Sequence, residues 1–346
     1  MEKANEKKGR ILYFDLLNIV ACFCVVTLHC NGTVFDYRLD KVWIVSMIVQ
    51  VLAHWCVPVF LMLTGATLMG YPDKYSTKVF FQKRVFKVFI PFLLWSTIYL
   101  LWRLKTKQII YEGGRNVLSL YLNNGIESVF WFFYPLFAIY ISMPVLAIFR
   151  KKEYKKYVYY MIILAVFAFG FMPLLSSGFQ IYYTSYLNPP IVGGYVVFVL
   201  TGWMLSQEEI RPKFRYIIYL LGILCTALMF CLTIFLSVRD GKINDMFFEY
   251  SIFVNYFMAV AVFVWFKYHN WKLFEKEKWR QAIRHISGAS FGIYLIHNLF
   301  VSRVFLNHPE RNTILWMEFS SVAIYLFSLG IVLLVKRLPI LKRLFP

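Results

Sequence analysis

The stretch YFDLLNIVACFCVVTLHCNG, Tyr13–Gly32, is apolar and long enough to cross a bilayer, yet it carries Asp15, Asn18 and His29. An ionisable side chain among lipid tails is costly, so inside a span it faces a bundle interior or a wet cavity. Asn18 and His29 stand eleven residues apart, close to three helical turns, so both point the same way. Asp15, three residues before Asn18, lies on nearly the same face. Helical rise separates Asn18 from His29 by roughly 16 Å. One polar stripe therefore crosses much of the membrane's thickness on a helix that is otherwise greasy.

The rest of the chain agrees with that reading. Its 346 residues are 60% hydrophobic and 20% aromatic, with 16% charged, too little charge for a soluble globular protein. Many windows of about 20 residues are nearly charge-free, the mark of transmembrane helices. The short alternating segments of a β-barrel are absent. The fold class expected is all-α: a polytopic transmembrane helical bundle of about ten spans, at 11–30, 43–69, 79–102, 128–149, 157–175, 190–206, 215–237, 246–267, 286–305 and 313–335. With the N-terminus inside, 27 of the 37 Lys and Arg fall on the inner side and 10 on the outer. That split favours ten spans with both termini cytoplasmic. It also excludes nucleic acid as the reason for the net charge of +19, because the positive residues sit in short loops between apolar runs. Residues 267–284 read as a short amphipathic helix at the inner interface. No cleavable signal, internal repeat or second soluble domain is visible, so 1–346 reads as a single membrane-embedded domain. The six cysteines show no CxxC pair, and no His, Cys or acidic cluster has metal-ligand spacing, so no metal is expected.

Several residues could carry chemistry. His29 can take a proton from a hydroxyl, or it can serve as structural glue between helices. Lys83, Arg84 and Lys87 open the third span and could hold the phosphates of an anionic cofactor, or anchor the span by the positive-inside rule. Trp131 and Tyr134 open the fourth span, as walls of a sugar or acyl pocket or as an aromatic belt. Ser287, Ser290, Tyr294 and His297 share one face of the ninth span. Gly288 and Gly292 beside them would let another helix approach closely. His54 in the second span is a further candidate. Glu127 reads as a solvated loop charge.

Five runs, in order, resemble the acyltransferase-3 family of integral membrane acyltransferases, and most nearly its standalone surface-polysaccharide O-acetyltransferases. They are YFDLLNIVACFCVVTLH (13–29), VPVFLMLTGATLM (57–69), FQKRVFKVFIPFLLW (81–95), FWFFYPLFAIYISMPVL (130–146) and SGASFGIYLIHNLF (287–300). The resemblance implies an acyl-CoA donor, usually acetyl-CoA, with no permanently bound cofactor, and a cell-surface or lipid-linked glycan acceptor. The setting it implies is a bacterial plasma membrane. His29 matches the family's essential histidine, Arg84 a basic position opening the third helix, Trp131 an aromatic motif and His297 a terminal histidine motif. Two positions depart from the pattern. Asn18 stands where the family has arginine, and Val129 where it often has histidine. Some relatives carry an extra secreted domain. This chain ends at Pro346, which favours direct transfer to the final acceptor.

The mechanism this implies places CoA at a basic inner mouth formed by Arg84 with Lys83 and Lys87. The pantetheine arm would run along Asp15 and Asn18, and the thioester would reach His29, which acts as general base or as acyl carrier. Asp15, Trp131, Tyr134, Tyr294 and His297 would contact substrate. The competing class is a transporter or flippase for a lipid-linked sugar with His29 in its pathway.

Overall fold

The computed structural model describes residues 11–177, 181–305, 308, 313–338 and 344–345. The N-terminal tail and most of the 303–312 loop and C-terminal tail, on which part of the charge count rests, lie outside the described residues. Fourteen α-helices and no strand occur among the described residues. They are α1 (Leu12–Cys30), α2 (Lys41–Ala53), α3 (Cys56–Leu68), α4 (Thr77–Arg84), α5 (Ile90–Lys105), α6 (Gly114–Leu122), α7 (Phe133–Leu146), α8 (Lys155–Ala165), α9 (Met172–Ser177), α10 (Val196–Gln207), α11 (Pro212–Asp240), α12 (Phe253–Tyr268), α13 (Glu277–Phe300) and α14 (Ile314–Val335).

Eight helical segments among the described residues are long and apolar enough to cross a membrane. Three of them join two α-helices. α2 and α3 meet at a break at His54-Trp55, and Pro58 falls in the first turn of α3, where its missing N–H removes no bond. α4 and α5 flank a π turn at Val85–Phe89, one residue before Ile90-Pro91. α8 and α9 flank another π turn at Val166–Phe171. The π turn ahead of Pro91 loosens the ladder where a proline would otherwise leave a carbonyl unpaired and crowded. The sixth and ninth expected spans differ from the other eight. α10 has only 12 residues, and the first half of α13 is charged. No separate amphipathic helix occupies 267–284: from Glu277 onward that segment is the beginning of α13 itself.

α1 is the axis of the bundle. Leu17, Ala21, Cys22, Val25, Val26 and Cys30 are buried on it, and it packs against α2, α3, α12, α13 and α14. α11 is peripheral and exposes Ile217, Leu220, Ile223 and Phe235, as a lipid-facing helix does. α1 and α13 run parallel, which the hydrogen bonds fix residue by residue. Ser287 Oγ donates to Asp15 Oδ1 at 2.7 Å. Asn18 Nδ2 donates to Ser287 O, Ser287 Oγ and Ser290 Oγ at 2.9–3.1 Å. Cys22 Sγ donates to Ser290 O at 3.5 Å. Continuing upward, the same register brings His29 beside His297.

Among the described residues, ion pairs tie helix ends together in two groups. Asp73–Arg150, Lys155–Glu208 and Lys267–Glu209 join helix ends at one side of the bundle. Arg103–Glu127 joins ends at the other.

Glu127 corrects an expectation. It is 2% exposed rather than solvated. It accepts from Arg103 Nη2 at 3.0 Å and from Asn298 Nδ2 at 2.8 Å, which ties α5 and α13 to the start of the α7 segment. Burial holds its carboxyl above the ordinary carboxylate range, and the Arg103 charge offsets this only in part. The folded protein therefore binds this proton more firmly than the unfolded chain does. The stabilisation is present below the ordinary carboxylate pKa and is lost as pH rises through the raised value. Glu127→Gln keeps one of the two acceptor oxygens and removes the titration. The melting temperature of the wild type relative to Glu127→Gln should fall as detergent buffer is taken from about pH 4 to pH 7. Parallel profiles would contradict this.

Candidate active site

A cavity of about 840 Å³ runs through the bundle along α1. Asp15, Asn18, Cys22, Val25 and His29 form one wall, at helical steps of three and four. At one end lie Arg84, Thr64, Thr67, Tyr140 and Ser287; at the other lie His29, His54, Trp131, Phe248 and Glu249. From Asp15 to His29 the wall is roughly 21 Å long. The polar stripe in the sequence is therefore part of the cavity lining.

His29 keeps part of its surface free, and that surface faces the cavity. Among the described residues its ring makes no hydrogen bond. Its neighbour is His297, with ring centroids 5.1 Å apart. His297 is fully buried behind the cavity wall. Its Nδ1 lies 2.8 Å from Tyr294 O and 3.2 Å from Ile293 O, and carbonyls only accept, so Nδ1 carries the proton. Its Nε2 then presents a lone pair, buried without a partner among the described residues. A bare imidazole in the cavity thus stands against a second imidazole with an unused acceptor.

Arg84 reaches the cavity from α4, between the rings of Phe80 and Tyr140, each centroid 5.7 Å from the guanidinium carbon. Its Nε is buried without a hydrogen-bond partner, and no carboxylate pairs with Arg84 among the described residues. A cation inside a cavity with no internal counter-ion is suited to an anionic ligand.

The far end is built of aromatic rings and polar side chains. His54, Tyr250 and Trp131 stack in nearly parallel planes, at 4.4 and 5.6 Å between centroids. His54 Nε2 donates to Phe248 O at 2.8 Å, while Gln50 Nε2 donates to His54 Nδ1 at 3.4 Å. Ser46 Oγ donates to Asn31 Oδ1, and Asn31 Nδ2 donates to Ser46 O and Gln50 Oε1. This chain of bonds commits both His54 nitrogens to the protein and holds the 246–250 turn over the end of the cavity. His54 is thereby a positioning residue. Tyr294 lines the cavity and donates its hydroxyl to Val129 O, the backbone carbonyl at the position where the sequence departs from the family pattern.

The expected site residues separate cleanly. Asp15, Asn18, His29, Arg84, Trp131 and Tyr294 line the cavity. Lys83, Lys87, Tyr134 and His297 do not. Lys83 Nζ lies 3.8 Å over the Tyr75 ring. Lys87 is exposed. Tyr134 donates to Tyr121 O at 2.5 Å. His297 acts only through its neighbours. The amide NH₂ of Asn18 is committed to α13, so a ligand can meet only its carbonyl oxygen. Gln50, Asp245, Phe248, Glu249 and Tyr250 join the lining without having been expected there, and His54, a candidate from the sequence, lines it too. No group of three His, Cys, Asp or Glu among the described residues could hold a metal ion.

Bundle and site together define a polytopic helical membrane protein with a histidine lining a cavity that extends along α1. Residues 11–335 match the model of the acyltransferase-3 family, described as an acyltransferase domain. The chain belongs to that family and is a membrane acyltransferase. Comparison with curated proteins and with solved structures finds no significant match.

Proposed function

We propose that this protein moves an acyl group, acetyl in its commonest form, from cytosolic acyl-CoA to a hydroxyl of a cell-surface or lipid-linked glycan. In this reading the bundle crosses a bacterial plasma membrane ten times, with both termini in the cytoplasm. The observation that carries it is the cavity itself, with a cation at one end that no carboxylate pairs among the described residues and an imidazole near the other that makes no hydrogen bond among them. The donor enters from the Arg84 end, which the charge distribution assigns to the cytoplasm. Its pantetheine arm lies along Asn18, Cys22 and Val25, and its thioester stops at His29. The acceptor enters between Trp131, Phe248 and Glu249.

His29 then takes the proton of the acceptor hydroxyl as the oxygen attacks the thioester carbonyl. The carbon–sulfur bond breaks, the acyl group stays on the acceptor oxygen, and the CoA thiolate takes the proton back from His29. His297, with its ring centroid 5.1 Å from that of His29, packs beside the base. The experiment is thiol release: purified protein, radiolabelled acetyl-CoA and extracted envelope polysaccharide. Free CoA and labelled polysaccharide should appear together, and label that stays on CoA would defeat the proposal.

Arg84 carries a separate expectation. Charge-assisted hydrogen bonds contribute about 1.5–3 kcal/mol, so Arg84→Gln should weaken acyl-CoA binding roughly 10- to 100-fold in titration calorimetry. Unchanged affinity would remove the donor from that end of the cavity.

A further inference from the structure

The wall that α13 gives to the cavity continues past the cavity's end. Ser287, Ser290, Phe291 and Tyr294 face the cavity, and helical steps back from Ser287 lead to Arg284 and Arg280 on the same side. Both arginines meet Leu12 and Asp15 in a contact too tight to hold a water molecule. Asp15 also lines the cavity, so the two arginines lie next to the end remote from His29. Helical rise sets Arg284 about 5 Å and Arg280 about 11 Å beyond Ser287.

The charge of these arginines is little used within the fold. Arg280 Nε is buried without a partner, and no carboxylate pairs with Arg280 among the described residues. Arg284 lies 3.7 Å from Glu277, with the two side chains 38% and 65% exposed, a solvated pair of small value. Asp15 Oδ1, between them and the cavity, accepts from Ser287. The lysines that sequence order offered for anion binding are elsewhere: Lys83 lies on Tyr75, and Lys87 is off the cavity wall.

We propose that Arg280 and Arg284 form a phosphate-ester site at the inner entrance of the cavity and hold the nucleotide end of the acyl-CoA donor. The inference rests on the donor reading above. Two planar guanidinium groups one turn apart offer paired donors matched to phosphate oxygens. Arg84 then meets the part of the donor already inside. Phospholipid headgroups carry the same phosphate chemistry, and the test separates the two sources.

The full-length protein is placed in nanodiscs of pure phosphatidylcholine, and CoA and pantetheine, which lacks every phosphate, are titrated by calorimetry. The double variant R280Q/R284Q should bind CoA at least about tenfold more weakly and pantetheine as the wild type does. R280K/R284K, which keeps the charge, should recover part of the loss. Equal CoA affinity in the double variant and the wild type would overturn the site. Equal weakening of CoA and pantetheine would overturn it too, because the arginines would then only shape the fold. Unchanged CoA affinity, with phosphatidylglycerol raising the melting temperature of the wild type alone, would give the site to lipid and overturn the donor assignment. Thiol release by the wild type keeps the two questions apart. Release with unaltered variant affinity retires the phosphate site alone. Phosphate-dependent binding without any release retires the transfer reading alone.

Discussion

Replacing His29 with alanine should reduce acyl transfer by at least about 10²-fold, the lower range for a lost general base, while leaving donor affinity and folding nearly intact. These three outcomes come from one geometry. The His29 ring faces the cavity and makes no hydrogen bond among the described residues, so its removal strands no buried partner and should cost little stability. The cation that meets the donor, Arg84, lies at the opposite end of the cavity, so CoA binding should persist. Only the step at the thioester loses its proton acceptor. A loss well beyond about 10⁴-fold would point to His29 as a covalent acyl carrier, since general-base catalysis alone does not reach that far. Near-normal transfer by His29→Ala, measured as labelled acyl group on the polysaccharide, would end the assignment.

The second large effect concerns folding. α3 and α10 approach so closely that glycine is the residue that fits. A Cβ on Gly65 would lie 1.9 Å from Val199 O, and one on Gly202 would lie 2.0 Å from Met62 O. Both obstacles are backbone atoms of the facing helix, so no side chain can turn aside and the helices must part. Ordinary overpacking costs about 1–3 kcal/mol. Gly65→Ala and Gly202→Ala should each cost about 3 kcal/mol or more, a large share of a typical stability. α10 suffers most, because its 12 residues are too few for an ordinary span and are buried on every side, at Val197, Phe198, Val199, Leu200, Thr201 and Gly202. Gly288→Ala serves as control, since nothing lies within 4 Å of its would-be Cβ. Thermal unfolding in detergent measures all three, and an unshifted Gly202→Ala would contradict the packing described.

The His29 stripe shows what the sequence could reveal. Helical period alone placed Asp15, Asn18 and His29 on one face, and that face lines the cavity. Alternating spans made α1 and α13 parallel, which is what sets His297 next to His29. Period said nothing of which helices meet at a given depth. Lys83 and Lys87 looked like anion ligands beside Arg84, but only Arg84 points into the cavity; Lys83 finds an aromatic ring. Tyr134 shares its motif with Trp131 yet turns to a backbone carbonyl. Glu127 looked like a loop charge because its partners, Arg103 and Asn298, are far away in sequence. Asp245 and Glu249 reach the site because a short turn folds over the cavity, and no spacing rule signals that. Gly288 and Gly292 drew attention as a close-approach pair. The tightest approach is at Gly65 and Gly202, where only the pairing of α3 with α10 reveals it.

The central claim is that a thioester from one side of the membrane meets an alcohol from the other at His29. Proteoliposomes put this to the test with radiolabelled acetyl-CoA sealed inside and envelope polysaccharide outside. The account predicts that label appears on the external polysaccharide while CoA stays within the vesicle, and that vesicles carrying His29→Ala lack this transfer. Label that remains on internal CoA while a lipid-linked sugar crosses the bilayer would contradict it and make the cavity a transport path.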